Sequence, residues 1–289
     1  MNAPGGGFDT YSRAIARSMT KYLPDGVNII VKNIPAAGGR TATNQLYRSK
    51  TDGYTVGLCD MEKMVANDLV LKPDYDISQF TWIGQIGRSI NAMAVSSASP
   101  WTNIDDIIAA SQQKQLLVPV NAPSPPDFLP LQTLGIDFRF ILGFEASPNA
   151  IASVIAGESD LAGYPVASLL PWVESGDLRP IYVLDSVPSP EFINAGFDVP
   201  TISELGYPEL SVLGGPRLVA LPPNTPQEIL AYWENLLLTT LADPELVAWS
   251  IEMDRPLLPG DAAYAKNAVD GTFEIYGKYA DTIEQYYED

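Results

Sequence analysis

The sequence contains no histidine and only one cysteine, and each absence excludes a class of chemistry. Without histidine there can be no Ser-His-Asp or Cys-His catalytic arrangement and no His-containing metal site. The single thiol, Cys59, cannot form an internal disulfide. Because it follows the apolar run of residues 54–58, we expect it to be buried and unreactive. We therefore predict no catalytic residue, no metal site and no cofactor.

Positive charge is also scarce: 17 Lys and Arg residues stand against 35 Asp and Glu residues, which gives a formal net charge of -18. A chain this acidic lacks the clustered basic surface that binds phosphates, so we expect no nucleic-acid partner. Self-repulsion favours a soluble monomer. No run of apolar residues approaches the length of about 18 that a membrane-spanning helix needs.

The chain is long enough for two domains and its pattern is that of an α/β protein. Apparent strands such as Val27–Val31 and Thr55–Leu58 alternate with helical patterns, which predicts parallel βαβ units. The same alternation starts again near Ala92. From Pro226 onward the chain contains helical patterns and no strand. Because those helices must pack on a lobe built earlier, we predict that the chain leaves lobe one, builds lobe two and returns.

Three turns between predicted strands and helices consist of small residues: residues 5–7, 36–39 and 146–148. Each would place free backbone N–H groups and the positive end of a helix dipole at the carboxyl edge of a strand, where α/β proteins bind ligands. We expect Asp9 to be the N-cap of the first helix. The alternative is that these glycines only permit tight turns, and no turn matches a nucleotide-binding motif.

Seven stretches of the sequence resemble, in the same order, segments of the tripartite tricarboxylate transporter receptors, also called Bug-type proteins. They are residues 4–13 (PGGGFDTYSR), 33–39 (NIPAAGG), 52–55 (DGYT), 157–161 (GESDL), 199–206 (VPTISELG), 221–226 (LPPNTP) and 241–245 (LADPE). No single stretch is diagnostic, but the colinear series spans nearly the whole chain. The sequence is therefore similar to this family.

The resemblance implies an α/β, two-lobed type II periplasmic-binding-protein fold with the ligand cleft between the lobes. We expect lobe one to comprise residues 1–93 and 216–289, and lobe two residues 94–215. The implied function is capture of a small carboxylate in the periplasm and its delivery to membrane permease subunits. The implied ligand-binding residues are Gly6, Gly7, Phe8, Asp9, Ala37, Gly38, Gly39 and Asp60 in lobe one, and Asn121, Phe144, Ser147 and Tyr164 in lobe two.

The sequence departs from the family pattern at several of these positions. Phe8 stands where a small hydroxyl residue is usual, and residues 144–147 (FEAS) replace a Tyr-Lys-Gly-Ser run. Losing that lysine and gaining Glu145 argues against a doubly charged ligand in lobe two. Phe8, Phe144 and Tyr164 favour an aromatic or apolar ligand body that carries one carboxylate.

Two further expectations concern the start of the chain and the class of function. The sequence begins in a glycine-rich turn, whereas the family has a strand before that point, so we expect a leader and a first strand to precede residue 1. A receptor that presents its ligand to a sensor kinase would use the same binding physics, so that alternative stays open. An enzyme on the same fold is disfavoured because no catalytic motif is assembled.

Overall fold

The computed structural model describes residues 6–286 except residues 35, 72, 122, 145 and 254, and for residue 38 it describes the main chain only. The residues form two compact units. Unit 1 comprises Met1–Arg88 and Gly215–Ala280, and unit 2 comprises Ser89–Gly214 and Asp281–Asp289. The chain therefore passes from unit 1 to unit 2 after residue 88 and returns after residue 214. The boundaries predicted from the sequence lie after residues 93 and 215.

The sheet of unit 1 has the strand order β1–β8–β2. Its strands are β1 (Gly57–Asp60), β2 (Thr81–Arg88) and β8 (Pro216–Leu221). β8 runs antiparallel to both neighbours. β1 and β2, which α3 (Met61–Leu71) connects, therefore run parallel to each other, as the predicted βαβ unit requires. They are not neighbours, because β8, which returns from unit 2, lies between them.

The helices of unit 1 cover this sheet. They are α1 (Gly7–Met19), α2 (Arg40–Tyr47), α3, α9 (Gln227–Leu241), α10 (Pro244–Glu252) and α11 (Ala262–Lys278). Apolar residues spaced three or four apart give a helix one face that packs inward. Tyr11, Ile15 and Met19 of α1 are buried against Leu236 and Leu237 of α9 and strand residues of β2 and β8. Cys59 is fully buried within this unit, as predicted.

The predicted strand at Val27–Val31 does not form. Residues 27–34 have no regular secondary structure and pair with no strand among the residues described. Ile30 is 78% exposed. A cavity of about 920 Å³, lined by this segment, α1, β1 and α9, lies beside it. Apolar, β-branched residues favour a strand, but a strand needs a neighbour to pair its backbone.

Unit 2 contains two sheets. Strand β3 (Asn91–Ser96) lies between β6 (Ala162–Pro165) and β7 (Leu178–Val183) and is antiparallel to both. Strands β4 (Leu116–Pro119) and β5 (Phe138–Ile141) form a parallel pair, as the βαβ pattern predicts. The helices are α4 (Ile104–Ser111), α5 (Pro125–Thr133), α6 (Ser147–Ile155), α7 (Val166–Glu174), α8 (Pro190–Asn194) and α12 (Ala280–Gln285).

The end of the chain packs on unit 2. The Tyr286 ring stacks on Phe128 of α5 with 4.3 Å between ring centroids, and its hydroxyl accepts a hydrogen bond of 2.9 Å from Gln132. Phe138 of β5 stacks against the same ring. None of the helices in the described ranges is long and apolar enough to cross a membrane.

Candidate functional site

The first helix of unit 1 begins in glycines and has no side-chain cap. Gly6 is its N-cap in an extended conformation, and Gly7, Phe8 and Asp9 form its first turn. The prediction that Asp9 is the N-cap is therefore wrong. The helix begins earlier, at residues whose backbone is unrestricted because they are glycines. Asp9 is instead buried in the first turn, with its carboxylate 2.9 Å from the Nε of Arg13. The first N–H groups of a helix have no partner within it, so this turn presents donors and a positive dipole end.

Arg217 of β8 lies directly beside that turn. Its guanidinium is 5.4 Å from the centroid of the Phe8 ring and 4.9 Å from that of Tyr11. Its side chain is nearly enclosed, with 8% of the residue's surface exposed, and burial lowers its pKa. Phe8, expected to favour an aromatic ligand, thus also packs on a buried cation.

A second arginine, Arg255, approaches the same place from the segment after α10. A Cβ built on Gly7 would lie 3.5 Å from Nη1 of Arg255 and 3.9 Å from Nη2 of Arg217. The Arg255 N–H bonds the carbonyl of Ser250 at 2.8 Å, and the hydroxyl of Tyr11 donates to the carbonyl of Pro256 at 3.0 Å. These bonds fix the segment that carries Arg255.

The remaining predicted residues of unit 1 lie at the end of β1 and before α2. Asp60 is buried at the end of β1, is paired in register with Arg217, and lies 3.5 Å from the Lys63 ammonium. Residues 36–39 form a 3₁₀ turn in which Ala37 and Gly39 have positive φ angles of 52° and 92°. The carbonyl of Ala37 accepts a bond from Arg40, and that of Gly39 accepts one from Thr43. Gly38 lies in the same turn.

The four predicted residues of unit 2 lie around the carboxyl ends of β4 and β5. Asn121 follows β4 and donates a 2.8 Å hydrogen bond to the carbonyl of Phe144, which follows β5. The hydroxyl of Tyr164 on β6 donates a 2.7 Å bond to the carbonyl of Pro119 on β4. Burial raises the pKa of Tyr164, so the phenol stays neutral. Ser147 is the first residue of α6.

In unit 1 the structure therefore places Gly7, Phe8 and Asp60 near Arg217. In unit 2 it links Asn121 to the carbonyl of Phe144 and Tyr164 to the carbonyl of Pro119. The resemblance also covers Gly5, Pro35 and Glu145, which lie outside the described residues. Among the residues described, no group of three His, Cys, Asp or Glu side chains could hold a metal ion.

Arg217 and Arg255 were missed by the sequence analysis. The available signal was an arginine inside the apolar strand Pro216–Leu221 of a chain poor in basic residues. Buried arginines usually have a partner, so a lone one in such a strand marks a site worth examining. Arg255 carries no comparable signal, because it follows a helix in a segment without strand or helix periodicity.

Comparisons with known proteins agree with this architecture. Protein BugT of Bordetella pertussis is 26% identical over 231 residues, covering 76% of this chain and 68% of that protein. The periplasmic binding protein BugD has a similar structure, with a TM-score of 0.80 and 21% identity over 99% of this chain and 95% of that one.

Two similar structures were solved with a ligand. A protein of R. palustris with adipate has a TM-score of 0.81 and 22% identity, over 98% of this chain and 94% of that one. MatC of Rhodopseudomonas palustris with bound malate has a TM-score of 0.79 and 20% identity, over 98% and 96%. At these identities the structures establish the fold alone: the α/β, two-lobed fold of periplasmic solute-binding proteins, as predicted.

A family model described as the tripartite tricarboxylate transporter family receptor matches residues 11–266. The match spans most of the chain and confirms the resemblance seen in the sequence. It also agrees with the prediction that the protein is not an enzyme. The chain belongs to the tripartite tricarboxylate transporter receptor family, whose members are solute-binding proteins.

Proposed function

We propose that this protein captures a small carboxylate in the periplasm and delivers it to the membrane permease of a tripartite tricarboxylate transporter. The observation that carries the proposal is the start of α1. Gly6 and Gly7 leave the first helical turn without a side-chain cap, at the position where the family resemblance places the ligand. An uncapped helix start offers N–H donors and a positive dipole end to an anion.

The ligands of the relatives support the chemical class. One similar structure contains adipate and another contains malate, and both molecules are small dicarboxylates. In unit 2 the Asn121 side chain donates a hydrogen bond to the carbonyl of Phe144, and the Tyr164 hydroxyl donates one to the carbonyl of Pro119, two residues before Asn121. This set favours a ligand that combines a carboxylate with an apolar or aromatic body over one that is charged throughout.

Isothermal titration calorimetry tests the proposal. Benzoate, adipate, malate and citrate are titrated into the protein, with benzamide and adipamide as neutral controls of matched shape. We expect saturable binding of at least one carboxylate and none of its amide. If an amide bound as tightly as its acid, or if no carboxylate bound, the proposed ligand class would be wrong. Citrate as the tightest ligand would contradict the preference for an apolar body.

A further inference from the structure

Two arginines that the family resemblance does not assign converge on the start of α1. The Nε atoms of Arg217 and Arg255 are both buried, and neither has a hydrogen-bond partner within the part of the chain that the structure describes. Leaving a charged donor unsatisfied in the interior is costly, and native proteins rarely do so without a reason. Both guanidinium groups also come within ordinary contact distance of the same point, the missing side chain of Gly7.

The register of the sheet explains why Arg217 is held there. Arg217 lies on the central strand β8, with Asp60 of β1 opposite on one side and Gly87 of β2 opposite on the other. Gly87 has no side chain, and a Cβ there would lie 3.1 Å from the carbonyl of Pro256. The space beside Gly87 thus admits the segment that carries Arg255.

The acidic residues near Arg217 are engaged by other groups. Asp9 lies 2.9 Å from Arg13, and Asp60 lies 3.5 Å from Lys63. Glu62 accepts a 2.7 Å hydrogen bond from the N–H of Gly215. No carboxylate of a described residue lies within 4.0 Å of a nitrogen of Arg217 or Arg255. Within the described ranges neither arginine therefore forms an ion pair, although Asp60 and Glu62 lie near enough to Arg217 to favour its charged form.

We propose that Arg217 and Arg255, together with the first-turn N–H groups of α1, form an oxyanion site that binds the carboxylate head of the ligand. All of these residues belong to unit 1. It rests on the proposed function for the identity of the ligand, but its residues are defined independently by their burial and their missing partners.

Arginine suits this task because its planar guanidinium keeps its charge and carries terminal N–H donors that can hold carboxylate oxygens. The nitrogens nearest the start of α1 are such terminal atoms, Nη2 of Arg217 and Nη1 of Arg255. The Phe8 and Tyr11 rings contact the guanidinium of Arg217 and limit its rotation. Tyr11 is itself held by an edge-to-face contact with Trp249 of α10, with 5.9 Å between centroids. The cation is therefore positioned before the ligand arrives, which reduces the entropy lost on binding.

The test uses two substitutions, Arg217→Met and Arg255→Gln, and one control. Arg48→Met removes the same charge from an exposed pair with Asp74 on the surface of unit 1. Each variant and the unsubstituted protein are titrated with benzoate, adipate and sodium sulfate. A charge-assisted hydrogen bond contributes enough free energy that losing it lowers affinity roughly 10- to 100-fold. We expect such a loss in both site variants and no change in the control.

A second readout separates binding from folding. The ligand-free melting temperature of each variant reports its folding, and we expect the Arg217→Met and Arg255→Gln variants to lose affinity while they remain folded. A lower melting temperature with unchanged affinity for every anion would show that the arginine is purely structural and would overturn the proposal. Arg255 is only partly buried, so its variant tests binding even if the other fails to fold.

The outcomes also separate this proposal from the proposed function. If a carboxylate binds the site variants as tightly as the unsubstituted protein, the arginine site is wrong and the receptor function stands. If sulfate binds through the arginines and no carboxylate does, the arginines hold an oxyanion, but the carboxylate ligand named in both proposals is wrong. If neither sulfate nor any carboxylate binds the unsubstituted protein, both proposals are overturned.

Discussion

Gly7 shows how one missing side chain can serve binding at the expense of stability. Its backbone is helical, so alanine fits without strain, and a Cβ would meet both arginines at ordinary contact distance. Glycine is the less stable choice in a helix by up to about 1 kcal/mol. We therefore expect Gly7→Ala to keep or raise the melting temperature while the added methyl group weakens adipate binding about 10-fold or more. Scanning fluorimetry and calorimetry measure the two effects.

The matched control for this prediction is Gly271→Ala. Gly271 lies within α11, and a Cβ there would meet nothing within 4 Å. It should therefore gain the same kind of helix stability with no change in affinity. If Gly7→Ala bound adipate as well as the control does, the space next to Gly7 would not be where the carboxylate lies.

Single residues differ in how far the sequence predicts their roles. Cys59 could be predicted as buried because it follows an apolar run, and it is. Asp9 could not be placed correctly, since an Asp before an apolar stripe fits an N-cap and a first-turn position equally well. The neighbours of Arg217 could not be predicted, because the pairing of β1 with β8 brings Asp60 opposite it and the placement of α1 brings Phe8 over it.

At the scale of elements, the start of α10 depends on one carboxylate. Asp243 is its N-cap and accepts hydrogen bonds from the N–H groups of Glu245 and Leu246 at 3.0 and 3.1 Å. It also accepts a 2.7 Å bond from the hydroxyl of Tyr22 and lies 3.1 Å from the ammonium of Lys21. This carboxylate therefore ties α10 to the end of α1.

These partners give the stability of unit 1 a defined pH dependence. The Tyr22 hydroxyl, followed by Lys21, holds the pKa of Asp243 below its usual value. A depressed pKa means that this stabilisation is present above about pH 4, the unfolded value, and is lost as pH falls through the folded pKa. We expect Asp243→Asn to lower the melting temperature by a few degrees at pH 7. We also expect the difference from the unsubstituted protein to shrink as the pH falls below about 4.

Asp270→Asn is the control, because Asp270 pairs with Lys266 on an exposed helix face where ion pairs contribute little. Thermal melts of both variants between pH 7 and pH 2 measure the effect. An Asp243→Asn melting temperature equal to that of Asp270→Asn at pH 7 would show that the cap and its partners do not stabilise this helix start.

Helices were easier to predict from the sequence than the pairing of strands. The spacing of apolar residues predicted α4 over Ile104–Ser111, which is where it lies. The strand pattern at residues 27–31 was equally clear but formed no pair, because pairing depends on which neighbour is present. The insertion of β8 between β1 and β2 likewise follows from the path of the whole chain and not from local sequence.

At the scale of the whole molecule, the return of the chain to its first unit was predictable. Helices without strands of their own had to pack on a sheet built earlier, and α9 and α11 do contact β2. The final residues were not predictable in this way. Tyr286 packs on α5 and β5 of unit 2 through aromatic stacking, and neither periodicity nor turn chemistry identifies such a contact.

The net charge of -18 acts on the molecule as a whole and makes its stability depend on salt. Salt shortens the screening length from about 10 Å at 0.1 M to about 3 Å at 1 M, which weakens self-repulsion among the exposed carboxylates. Added NaCl should therefore raise the melting temperature at pH 7.

Salt screens buried charges much less than exposed ones. Because Arg217 is nearly enclosed, affinity for adipate should change far less than the melting temperature over the same range. Near pH 4.2, the isoelectric point, the stabilising effect should vanish because there is no net charge to screen. Thermal melts and titrations across a NaCl series measure both trends, and a melting temperature that falls with salt at pH 7 would show that net repulsion does not limit stability.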